Sequence, residues 1–301
     1  MRVPPTELTE AVWLPLAERH TARVSAWIDP HLERRSRNQR HPVEDFLWEY
    51  YSYSPKALRT WHPGWGVVLR GDVAGFAGVR GLLVDGDRSF VDPALAGRRA
   101  DQLRWIRDLL VATGSRPARL GCFGLHEWAM VYRSRPDQLR HTQLPLRLGL
   151  EGTDAVVEGH RISCTHYDAY RFFTPAAVEL NTRRPTLADR VHNEQPGCLH
   201  AQMDVYKWAH KLAPFTSADL VADCFALARE IRVLDMRASP YDLTAWGYSP
   251  VAIETTDGKA EYIQAQRDFG DRASTLREQL VAVCDRVLTS ERAAIGGPAV
   301  G

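Results

Sequence analysis

Lysine is scarce in this chain. Of 38 basic residues only Lys56, Lys207, Lys211 and Lys259 are lysines, and 37 acidic residues bring the net charge to +1. A protein that meets nucleic acid through its overall charge carries an excess of cations, so only a local basic patch remains open to that role. Cysteine is sparse too: Cys122, Cys164, Cys198, Cys224 and Cys284 are odd in number, widely spaced and without a C-x-x-C pair. That pattern excludes a disulfide framework and a thiolate zinc site and predicts reduced thiols. No apolar run approaches the roughly 18 residues of a membrane span, and Met1-Arg-Val-Pro-Pro-Thr-Glu7 lacks the apolar stretch of a secretory signal. The expectation is a cytoplasmic protein with no membrane partner. P-loop, G-x-G-x-x-G, G-x-S-x-G and EF-hand signatures are missing, and His126-Glu127 is followed by Trp128, Ala129 and Met130 rather than by a zincin histidine.

What is present is helical periodicity. Val43, Phe46, Leu47, Tyr50 and Tyr51 share a face behind Pro42. Asp29-Pro30 and Asp92-Pro93 each read as an N-cap with a first-turn proline, the second opening a helix through Leu95, Leu103, Ile106 and Leu110 to Gly114. Pro196-Gly197 precedes a helix to Leu212 stopped by Pro214, and Ser217 caps another through Leu220, Cys224, Leu227 and Ile231. Tyr262, Phe269, Ala273, Leu276, Leu280, Val283 and Val287 trace one long C-terminal stripe, with a bend allowed at Gly270. Strand signals are few: Gly66 to Leu69, a pair at Arg161 to Cys164 and Asp168 to Phe173, and Val251 to Thr255. The prediction is a mainly α protein with a small β element, a single compact helical domain over 1–292 and a flexible tail over 293–301.

Chemistry concentrates in four segments. In the helix after Gln195-Pro-Gly-Cys-Leu, His200, Asp204, Lys207 and Lys211 share one polar stripe between apolar neighbours; routine ion pairs explain the stripe as well as a site does. In Leu120-Gly-Cys-Phe-Gly-Leu-His-Glu-Trp-Ala-Met-Val-Tyr-Arg133, a desolvated Glu127 suits acid–base work, unless Arg133 or another arginine pairs with it. His166 and Asp168, two apart and on one face if extended, join His126 and His200 as ligands for iron, manganese or zinc, with Asp204 or Glu127 as further donors. Finally, Arg34, Arg35, Arg37 and Arg40 precede aromatic segments that include Trp61 and Trp65, an arrangement suited to phosphate contacts and base stacking or, equally, to a solvated helix end.

His41-Pro-Val-Glu-Asp-Phe-Leu47, Trp61-His-Pro-Gly64, Gly121-Cys-Phe-Gly-Leu-His-Glu-Trp-Ala-Met-Val-Tyr-Arg133, Gln195-Pro-Gly-Cys-Leu-His200 and Leu234-Asp-Met-Arg-Ala-Ser-Pro-Tyr-Asp242 resemble the actinobacterial proteins labelled 3-methyladenine DNA glycosylase, over about Val12 to Leu288. The resemblance implies DNA as partner and hydrolysis of the N-glycosidic bond of alkylated purines, the damaged nucleotide being swung into an aromatic pocket. Such a reaction needs a stabilised oxocarbenium ion and a carboxylate-positioned water, and no cofactor. From residue type and spacing, Asp204, Glu127 and His200 are the catalytic candidates, Trp128, Tyr132, Trp61 and Trp65 the stacking residues, and Lys207 with Arg34, Arg35, Arg37 and Arg40 the substrate contacts. Two alternatives stand beside it: a His/carboxylate metalloenzyme acting on a small molecule, and a helical binding protein without catalysis.

Overall fold

A computed structural model of the chain describes residues 5–139 and 141–295. The fold is predominantly helical with one four-stranded sheet, as the periodicity predicts. Its centre is the Leu199–Leu212 helix, which buries twelve of its fourteen residues. Pro214 ends it, Ser217 Oγ accepts the Leu220 amide at 3.2 Å, and the Ala218–Arg237 helix returns alongside. The Thr256–Ile295 helix crosses both, burying Tyr262, Ala273, Leu280, Val283 and Val287. Gly270 acts there as a close-approach residue: a Cβ would stand 3.2 Å from Gln202 Nε2, an amide already donating to Pro196 O and Gln266 O. The Ala100–Gly114 helix completes this core through Leu103, Ile106, Leu109 and Leu110. Of the expected tail, residues 293–295 continue the last helix, and 296–301 lie outside the described residues.

The sheet runs in the order β1 (Thr6–Leu8), β2 (Val67–Arg70), β4 (Arg88–Val91) and β3 (Leu82–Asp85), with β1 parallel to β2 and the other pairs antiparallel. Only β2 coincides with an expected strand. The β3–β4 hairpin pairs Asp85 with Arg88, and Gly86 supplies the positive φ of 61° that so tight a turn requires. Residues 161–166 find no sheet partner; instead the Asn181 side chain bridges Cys164, accepting from its N–H at 2.7 Å and donating to its carbonyl at 3.1 Å. Asp168 then lies in a short Tyr167–Tyr170 helix, and Val251–Thr255 forms turns. Asp29-Pro30 starts no helix but sits in the Glu10–Ser36 helix, where both residues are exposed. Pro42 to Asp45 are turns rather than helix, because the buried Asp45 side chain binds the His41 amide, His31 and Arg34, leaving a helix of only Phe46–Tyr50. No described helix is long and apolar enough to cross a membrane.

Candidate metal centre

Five separate stretches of chain deliver six ligand-type side chains to one buried region. His200 and Asp204, at i and i+4 on the Leu199–Leu212 helix, lie on one face of its N-terminal half. Asp235 comes from the neighbouring Ala218–Arg237 helix, and His126 from the short Leu125–Ala129 helix, whose entry turn holds Phe123 and Gly124 at φ 48° and 71°. Glu194 follows the Arg190–Asn193 turn of helix, and His166 precedes Tyr167–Tyr170. Gln195 locks two of these stretches together: its Oε1 accepts the Arg119 and Gly197 amides at 2.9 and 2.7 Å, while its Nε2 donates to Arg119 O. Gly197 is required there, since a Cβ would fall 2.7 Å from the Arg119 carbonyl oxygen.

The six side chains form two adjoining triads, His126/His200/Asp235 and His166/Glu194/Asp204, every residue buried and the donor atoms of each triad within 4.8 Å of one another. The His200 ring joins them, with centroids 4.3 Å from His126 and 5.3 Å from His166. In the first triad His126 Nε2 meets Asp235 Oδ1 at 2.8 Å, and Cys122 Sγ lies 3.8 Å from His126 Nδ1. Arg232 holds Asp235 Oδ2 and Glu127 Oε1, each at 2.8 Å. In the second, His166 Nε2 stands 3.4 Å from Glu194 Oε1 and 3.3 Å from Asp204 Oδ2, yet is aligned for a hydrogen bond with neither. His166 Nδ1 likewise has no hydrogen-bond partner among the described residues, although the side chain is wholly buried. Orphaned imidazole nitrogens in a protein interior are costly, and donor atoms about 3.4 Å apart are the edges of a tetrahedron with bonds of roughly 2.1 Å, the length of zinc–nitrogen or zinc–oxygen bonds.

Electrostatics agree with that spacing. Among the described residues Glu127, Asp168, Glu194, Asp204 and Asp235 pair with four permanent cations, Arg171, Arg190, Lys207 and Arg232, leaving one negative charge over. Burial pulls His126 down, but Asp235 outweighs it and holds the imidazole well above its ordinary pKa. Burial and the neighbouring His126 push His200 well below. Glu194 is raised by burial against the pull of His166, whereas Asp204, despite burial, is held well below the usual carboxylate range by Lys207 and His166. Buried carboxylates with the neutral His200 imidazole beside them offer the mixed oxygen and nitrogen donors of a cation site, the His126 proton standing where a cation would.

Several sequence-based assignments need correction. Asp168 belongs to neither triad: in a helix rather than a strand, it turns from His166 to pair with Arg190 and Lys207. Glu194, missed because it follows a four-residue helix without a recognisable motif, takes the acidic place beside His166; Asp235 was passed over as part of an apolar helical face. Glu127 is buried but neutralised by Arg232, while Arg133 pairs with Glu158. Trp128 is 0% exposed with its indole N–H on Ala238 O, and the buried Tyr132 donates to Glu158, so neither presents a free ring face. Trp61 is buried against Trp13 and donates to Asp219, and Trp65 packs on Phe215. Arg34, Arg37 and Arg40 are engaged by Asp45, Glu33 and Glu49, leaving the exposed Arg35. His200, Asp204, Lys207, His126 and His166 do converge.

One cavity touches the centre and a second lies outside it, lined by none of the six side chains. The first, of about 20 Å³, touches His126 and His200; the second, about 230 Å³, opens beside Phe46 and Tyr50, whose rings abut Arg232 and Tyr51. Neither Glu127 nor Asp204 lines either one. Compared with known proteins, the chain matches no family model, and no curated protein or solved structure is significantly similar to it.

Proposed function

We propose that this protein is a metal-dependent enzyme acting on a small molecule, with two first-row transition-metal ions held by His126, His200 and Asp235 and by His166, Glu194 and Asp204. The observation that carries the reading is the buried His166 ring, its Nε2 placed between two carboxylates at ligand-to-ligand spacing and hydrogen-bonded to neither. Mixed nitrogen and oxygen donors without thiolate suit iron, manganese or zinc, and two such ions supply Lewis acidity or, if redox-active, electrons. The chain's own residues do the positioning. Arg232 orients Asp235, Tyr51 and Lys207 orient Asp204, and Arg190 lies against Glu194, the outer contacts a metal centre needs to fix its ligands. The 230 Å³ hollow beside Phe46 and Tyr50 has room for a small organic substrate next to this shell.

A base-excising site receives less support from the same geometry. It needs a carboxylate free to position water in a ring-lined hollow, and Glu127 and Asp204 are both engaged away from the cavities. Elemental analysis of the purified protein tests the proposal: two ions per chain are expected, lost in folded His166→Ala and His200→Ala variants. Metal-free protein that releases 3-methyladenine from alkylated DNA would overturn it in favour of the glycosylase.

A further inference from the structure

The two triads differ in what lies next to them. The second is closed by polar side chains: Tyr51 donates to Asp204 Oδ1, Lys207 stands 3.2 Å from Asp204 Oδ2, and Arg190 Nε stands 2.8 Å from Glu194 Oε1. The first borders the 20 Å³ cavity, where His126 and His200 form part of the wall and Cys122, Cys164, Cys198 and Tyr262 much of the rest. None of His166, Glu194 and Asp204 reaches it. The cavity also lies under the surface. Arg119 and Gly121 are exposed, Cys122 and Ser163 are half-buried, and all four line it, so the route from water to the His126 and His200 rings is one layer of residues thick.

Its size limits what enters. One water-sized sphere needs about 10–15 Å³, so 20 Å³ accepts a molecule of two or three atoms and nothing of the size of a sugar or a base. Its wall joins the thiols of Cys122, Cys164 and Cys198 to the hydroxyls of Ser163, Thr165 and Tyr262 and the Gln195 amide, and carries no carboxylate. A small molecule bound at a metal ion would draw its binding energy from that ion and would not need the wall for hydrogen bonds. Two of the three protein ligands, His126 and His200, face this space, and three protein ligands with one open side is the arrangement of catalytic rather than structural metal sites.

We infer that the ion held by His126, His200 and Asp235, and not its neighbour, binds the exogenous ligand of the centre, and that this ligand is a diatomic or triatomic molecule of the dioxygen or azide type admitted past Cys122 and Ser163. The inference rests on the two-ion reading above and adds which ion is open, from which side, and to what.

The test uses full-length protein loaded with cobalt(II), with azide as the probe and the visible absorption of the cobalt as the readout. Azide is expected to change the spectrum with one equivalent per chain. Ser163→Leu, which fills the cavity from its half-buried rim, is expected to keep both cobalt ions while weakening azide at least tenfold. Gly121→Leu serves as a second block less prone to misfold, since a Cβ at Gly121 meets nothing within 4 Å. No azide effect on the wild type, two equivalents bound, or unchanged affinity in both blocked variants with two ions retained overturns the inference and leaves the metal centre standing. Failure of the wild type to bind cobalt at all removes the centre and the inference together.

Discussion

Tyr51 donates a 2.8 Å hydrogen bond to Asp204 Oδ1 across 153 residues of chain, inside the protein. The bond ties the turn after Phe46–Tyr50 to the N-terminal half of the Leu199–Leu212 helix, and it leaves the other carboxylate oxygen facing His166 and Lys207. Tyr51→Phe leaves Asp204 buried with one acceptor unsatisfied, so a loss of roughly 1–3 kcal/mol in unfolding free energy is expected for the metal-free protein by urea denaturation. Metal affinity should fall by about 10- to 100-fold in a chelator competition, because the ligand loses its outer contact.

Glu194 and Asp168 separate a ligand from a neighbour. Both are acidic, both pair with Arg190, and only Glu194 stands against His166. Glu194→Gln is expected to reduce bound metal to one ion per chain or fewer, while Asp168→Asn retains two; elemental analysis of folded samples decides it. The opposite pattern would restore Asp168 to the place first given it by its spacing from His166.

Arg232 is fully buried between Glu127 and Asp235. Breaking a buried ion pair by removing one partner strands the other charge, at a cost of about 3–5 kcal/mol. Arg232→Met should therefore destabilise by that order in chemical denaturation, and Arg232→Met combined with Glu127→Gln should recover part of it. Strict additivity of the two single variants would show that Glu127 and Arg232 act independently.

His62 supplies a pH dependence remote from the centre. Burial, aided by His20 and opposed by Asp219, pushes its imidazole down to about 4. Between that value and the unfolded pKa of roughly 6.5 the unfolded chain binds a proton that the native chain does not, so native stability falls as pH falls through this window and levels off below it. The full effect is at most about 3 kcal/mol. Urea denaturation at pH 7.5 and 4.5 is expected to show His62→Gln losing less stability over the interval than the wild type; equal losses would place the titration elsewhere.

The helices were legible where amphipathic period and punctuation agree. Ser217 and Pro214 bound the central pair, and Tyr262 to Val287 bury the predicted stripe. The sheet was less legible: Leu82-Leu-Val-Asp-Gly-Asp-Arg-Ser-Phe-Val91 carries a two-residue turn signal at Gly86-Asp87 that the strand reading did not include, whereas the helix start expected at Asp92-Pro93 is present, with the Ala94 amide on Asp92 Oδ1. At the site, His200 and Asp204 were legible because i and i+4 share a helical face. Glu194 and Asp235 were not, since their proximity depends on tertiary packing across 109 residues for His126 with Asp235, and no local period encodes it. The aromatic residues misled for a related reason: Trp61 and Trp128 were assigned by chemical type, whereas their indole N–H groups serve Asp219 and the Ala238 carbonyl.

The dispersal of the six ligands has a consequence for how the protein is held together. An ion shared by His126, His200 and Asp235, as proposed, would be a removable clasp on three distant points of one chain, and closing loops of that length in the unfolded state is entropically expensive. Loading should therefore raise the melting temperature in proportion to the logarithm of free metal, and fragments cut between residues 126 and 235 should lose the clasp entirely.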